Sequence, residues 1–171
     1  MRRSRTLHAT RRSSTVALAP DAAWDVVASG EAGPQWYVDA APFVFRRFVD
    51  RLALGPALRR EPPGRPRLAT GDRVGFWRVV EADHRARRLE LEAEVRAPGT
   101  VRLMATATPS TDEGTEVGLE VSFAPRGLLG RAYLLTDLPA REALTELVLL
   151  HVLTVLRRRD NPWTSASVDQ V

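Results

Sequence analysis

The segment Arg87–Arg96, RRLELEAEVR, decides the fold: Leu89, Leu91, Ala93 and Val95 alternate with Arg88, Glu90, Glu92 and Glu94. Successive side chains of a strand point to opposite faces, so this spacing of two predicts a strand with one dry face and one wet face. The next two segments repeat it. After the turn at Pro98-Gly99, Val101, Leu103, Ala105 and Ala107 alternate with Arg102, Met104, Thr106 and Thr108. After the polar turn from Ser110 to Gly114, Val117, Leu119, Val121 and Phe123 alternate with Glu116, Gly118, Glu120 and Ser122. Three such strands joined by short turns form an antiparallel meander with one solvated face. Val74 to Glu81 predicts a further strand ahead of them.

The dry face needs a cover. Leu128 to Arg159 reads as a long helix, bent at Pro139, where proline removes a backbone donor. Its second half is apolar almost all round, with Leu144, Leu147, Val148, Leu150, Val152, Leu153, Val155 and Leu156. Such a helix is expected to be buried against more than one surface. On the other side of the meander, Thr6 to Ala19 predicts a partly exposed strand, polar in its first half, with Val16 and Leu18 two apart. Pro20 and Asp21 suit the first turn of a helix that carries Ala23, Trp24 and Val27 on one face and ends at Ser29-Gly30. Gly33 to Gly55 is apolar and aromatic, and Phe45, Phe48, Val49 and Leu52 recur at helical spacing. Gly55 to Gly71, with Pro62, Pro63, Gly64 and Pro66, reads as a flexible, lid-like loop.

At 171 residues and 44% hydrophobic content, the chain supports one domain with a sizeable core. That domain is expected over 6–159, between a basic tail at 1–5 and an unstructured tail at 160–171. Its class is α+β: a curved antiparallel sheet wrapped around a long carboxy-terminal helix.

Composition removes several chemistries. There is no cysteine, which excludes disulfides, thiolate nucleophiles and Cys-ligated metals. His8, His84 and His151 are too scattered to form a metal set. No Gly-x-Gly-x-x-Gly occurs, and no cofactor is expected. The net charge is +4 and all 25 basic residues are arginine, concentrated near Arg2–Arg12, Arg46–Arg67 and Arg157–Arg159. Nucleic-acid modules interleave basic residues with aromatic stacking positions, and aromatics are only 6% here. The excess is therefore assigned to a solvated surface, with no nucleic-acid partner. The amino-terminal arginines precede no apolar run, so no secretory signal is expected. Leu147 to Leu156 is far shorter than the ~20 apolar residues of a membrane span. A soluble, cytoplasmic protein is expected.

Strand, short helices, antiparallel meander and long final helix is the order of the helix-grip fold, and the sequence resembles the START-like, polyketide cyclase/dehydrase (SRPBCC) superfamily. Two strings, GDRVGFWRVVEADHRARRLELEAEVRAPG (Gly71 to Gly99) and FAPRGLLGRAYLLTDLP (Phe123 to Pro139), resemble a family of unknown function within it. The likeness spans roughly Gly33 to Leu144. That family often follows an NAD(P)-binding Rossmann domain, which implies an oxidoreductase partner on a separate chain. Ala140 and Arg141 stand where the family carries a histidine-and-phenylalanine pattern, so no role for that histidine is inherited.

The resemblance implies a ligand cavity between the dry face and the helix. Leu91, Ala93, Leu103, Ala105, Leu119 and Val121 would line its sheet side, and Tyr133, Val148 and His151 its helical side. Alanines at inward positions leave room for a ligand, or for a closely approaching helix. Trp77 and Arg78 occupy opposite faces of one strand, and an unpaired arginine is costly to bury, so Trp77 is placed inside with Gly75 and Val79. Trp36 and Tyr37 either rim the mouth or belong to the core. Three readings follow: a binder of a hydrophobic small molecule, lipid or polyketide-like; a cyclase or dehydratase using Tyr133, His151 or Arg78; and an accessory module that dimerises or docks on an oxidoreductase through surplus leucines of the last helix. The binder is preferred, because no convergent catalytic pair occurs.

Overall fold

A computed structural model describes residues 8–39, 60–94, 99–111, 113–125 and 145–157. In chain order the elements are β1 (His8–Val16), α1 (Pro20–Val27), β2 (Ser29–Gly30), α2 (Trp36–Asp39), β3 (Arg65–Arg67), β4 (Arg73–Val74), β5 (Trp77–Asp83), β6 (Arg88–Ala93), β7 (Gly99–Pro109) and β8 (Thr115–Pro125). A final helix, α3, covers residues 145–157. Six strands form one antiparallel sheet in the order β1-β8-β7-β6-β5-β4, and β2 pairs with β3 separately.

The meander has the expected faces. Leu89, Ala105 and Leu119 stand side by side across β6, β7 and β8, and Leu91, Leu103 and Val121 form the next row. All six are buried. The opposite face is a ladder of counter-charges: Arg102 donates to Glu90 and Glu92 at 2.9 and 3.0 Å, and Arg78 donates to Glu92 at 2.9 Å. Cross-strand neighbours on one face lie close enough for such pairs to form.

Pro20 occupies the first turn of α1, where its missing N–H costs no helical bond, and Asp21 sits at the positive end of the dipole. Asp21 also accepts from Arg87 at 2.8 Å, and Asp25 accepts from Arg67 at 2.7 Å. The buried Trp24 donates its indole N–H to Nδ1 of His84 at 3.3 Å. These contacts tie α1 to β3 and to the turn between β5 and β6, while α1 itself packs on β7 and β8.

Four sequence expectations change. Val74 to Glu81 is not one strand: β4 and β5 form a hairpin with Val74 opposite Trp77, and the two-residue loop needs Gly75 at φ 56°. The lid-like loop contains β3, held by β2, so its Arg65–Arg67 section is anchored. Ser29-Gly30 correspondingly leads from α1 into a short strand. Finally, α3 is not buried all round; residues 145, 148, 149, 152, 153 and 156 form one buried stripe, while Leu147 and Leu150 are exposed. The Phe45–Leu52 helix, the helical stretch around Pro139 and both tails lie outside the described residues.

Candidate functional site

The inner face of the sheet, α1, α2 and α3 contribute to one hydrophobic core. Three aromatic side chains fasten its parts together. Trp36 donates its indole N–H to the Val27 carbonyl at 2.9 Å, and the Tyr37 hydroxyl donates to the Ser29 carbonyl at 2.7 Å. Trp77 donates to the Tyr37 carbonyl at 2.9 Å. All three side chains are buried. Each is thus a core residue whose polar atom reaches a backbone acceptor, which removes the cost of burying that atom.

The apolar rows of the inner face are buried along most of their length. Leu89, Ala105, Ala107, Val117 and Leu119 are closed to solvent to within 1%. Ala105 and Ala107 belong to β7, on which α1 packs, so small side chains there accommodate a helix. Leu103 and Val121 keep 4% exposure, Val148 5% and Leu153 6%, so these too are buried. Ala93, opposite Trp77 in register, is half-buried. His151 is half-buried at the flank of the α3 stripe. Tyr133 lies outside the described residues.

Sequence reasoning missed the inward row of the edge strand β1. Thr10, Arg12 and Ser14 register with Val121, Leu119 and Val117, all members of the inner face. Arg11 takes the other side: a Cβ built on Gly118 would lie 3.7 Å from its Nη2 and 2.8 Å from Thr106. Arg12 reaches Glu146 of α3 at 3.4 Å. The signal was available, because Arg12 and Ser14 are in phase with the apolar Val16.

Arg78 faces outward, as its strand phase required, beside a second cluster at the sheet's far end. There Arg60 and Arg73 donate to the two carboxylate oxygens of Glu94, at 2.7 and 3.1 Å. Burial pushes the Glu94 carboxyl up, but the hydrogen bonds and charges of Arg60 and Arg73 outweigh it and hold the group below its ordinary value. Among the described residues no cluster of three His, Asp or Glu side chains could hold a metal ion, and no helix is long and apolar enough to cross a membrane.

Two solved structures show the same fold. One is the Zhui aromatase/cyclase from a Streptomyces species, with TM-score 0.50, 15% identity, and coverage of 96% of this chain and 99% of that one. The other is a truncated norcoclaurine synthase from Thalictrum flavum, with TM-score 0.54, 11% identity, and coverage of 91% and 94%. Identities this low speak for the architecture alone, an α+β helix-grip fold with a large antiparallel sheet and a carboxy-terminal helix. No curated protein matches the sequence. The family described as "Protein of unknown function (DUF2867)" matches residues 2–146. That match takes in both strings in which the resemblance was read, and the chain belongs to this family.

Proposed function

We propose that the chain binds an apolar small molecule, lipid or polyketide-like, between the inner face of the sheet and α3. One observation carries this reading. The inner face and α3 share one apolar core, and next to the row Leu91, Leu103 and Val121 the inward position of β6 is the small, half-buried Ala93, opposite Trp77. Pockets for small ligands are mostly apolar with a few placed polar groups, and on β1 Thr10 stands beside Val121, with Arg12 next in the same inward row. The two fold relatives carry enzyme names, which keeps a cyclase-type activity as the alternative. The residues favour a binder: Arg78 points away from the inner face and His151 sits at the flank of its helix. Of the leucines of α3 on which the docking reading rests, Leu153 and Leu156 are buried and Leu150 is exposed.

The test is a titration with a panel of alkanoic acids, alkanols and fused-ring aromatic phenols, read by tryptophan fluorescence and melting temperature. Trp77 lies in the inner face, so an occupant of this site should change the emission. A ligand that binds only the folded chain raises stability by RT ln(1 + [L]/Kd). Saturable fluorescence change together with a rise in melting temperature is expected. No response to any member of the panel overturns the proposal.

A further inference from the structure

From the inward row of β1 we infer that the bound molecule is amphipathic and carries an anionic oxygen head group, received by Arg12. This rests on the ligand reading above and specifies one end of the ligand. Arg12 stands beside Leu119 in register, between Thr10 and Ser14, and is the cation that the described inner-face strands bring to the border of the apolar face. The neighbouring arginine, Arg11, is directed to the opposite side over Gly118. The remaining described arginines of the six-stranded sheet that make ion pairs, Arg73, Arg78, Arg88 and Arg102, bond to glutamates of the outer face.

Arg12 is held ready rather than consumed. Its Nη1 donates to the Arg11 carbonyl at 3.1 Å, which fixes the guanidinium near the strand. Its Nε meets Glu146 at 3.4 Å, with 42% and 53% of the two side chains exposed. An exposed, single-armed pair of this length is weak, and a head group that offers two oxygens to the guanidinium fork makes the stronger contact. The anion would therefore displace Glu146 from Arg12, while its alkyl or aromatic body lies along Val121 and Leu103. Glu146 is a resident competitor for the same fork. Removing Arg12 and removing Glu146 should then have opposite effects.

The experiment compares dodecanoate, dodecyl phosphate and dodecanol below their critical micelle concentrations, at low salt, on the full chain and on Arg12→Gln and Glu146→Gln. At least one anionic probe should bind about fivefold tighter than dodecanol, as expected for a half-exposed charge-assisted contact. Arg12→Gln should abolish that advantage, weakening the anionic probe more than dodecanol, whereas Glu146→Gln should enlarge it. Which of the two anionic probes gains identifies the head group as carboxylate or phosphate. Equal binding of all three probes, or a preference that survives Arg12→Gln, overturns this inference and leaves the ligand reading intact. Absence of binding by all three, dodecanol included, overturns both.

Discussion

Replacing Trp77 with phenylalanine should cost far more stability than replacing its neighbour Arg78 with glutamine. Trp77 is 2% exposed, contacts the Phe76 ring at 4.7 Å between centroids, and donates to the buried Tyr37 carbonyl at 2.9 Å. Loss of that donor costs about 1–3 kcal/mol, and the missing ring atoms leave a void worth about another 1 kcal/mol. The sum, about 2–4 kcal/mol, would lower the melting temperature of a chain this long by about 4–16 °C. Arg78, one residue on, faces solvent with 41% of its side chain exposed and pairs with Glu92. Such surface pairs contribute about 0–1 kcal/mol, so Arg78→Gln should shift the midpoint by a few degrees at most. Urea denaturation of both variants, with the slope compared to wild type, supplies the numbers. If Arg78→Gln costs as much as Trp77→Phe, the assignment of inner and outer faces is wrong.

Two further outcomes are expected. Glu94 has a folded pKa below its ordinary value of 4.5, so the stability it contributes is complete above that pH and is lost as the pH falls through the folded value. Melting temperature measured downward from pH 5 should therefore fall less steeply in Glu94→Gln, and an unchanged slope would show that Arg60 and Arg73 do not stabilise the carboxylate. His84→Ala strands the buried Trp24 N–H, which now reaches Nδ1, and should cost about 1–3 kcal/mol. Arg85→Ala, exposed on the same turn, serves as the control, and equal midpoints for the two variants would count against the Trp24–His84 bond.

The parts of this fold that were legible in the sequence are those built from local periodicity. Leu89, Leu91, Leu103, Leu119 and Val121 declare their face because each alternates with polar neighbours within its own strand. The β2–β3 pair could not be read that way, since two or three residues carry no period and the partner lies over thirty residues downstream. The β4–β5 hairpin was hidden by the apolar run around it, although Gly75 at the first position of a two-residue loop was its mark. For α3 the abundance of leucine concealed the answer: Leu147 and Leu150 are exposed while Val148, Leu149 and Val152 are buried. A helix greasy on several sides does not say which stripe the sheet will take. At the candidate site, the apolar rows were readable but the acceptors of Trp36, Tyr37 and Trp77 were not, because tertiary packing sets which backbone carbonyl lies in reach. Arg12 was overlooked for a different reason. A polar edge strand looks uniformly exposed unless its phase is counted from Val16.

The claim that the Leu103–Val121 end of the inner face holds a ligand is tested most directly by filling it. Val121→Phe adds a ring in the inward row with Leu91 and Leu103, where Thr10 stands beside Val121 in register. In a closely packed core such an enlargement costs about 1–3 kcal/mol. If the space is a ligand site, the ring occupies it instead. The variant should then melt within a few degrees of wild type and lose at least tenfold in affinity for whichever apolar probe the wild-type chain binds. A variant that is strongly destabilised, or one that binds the probe as wild type does, would contradict the account.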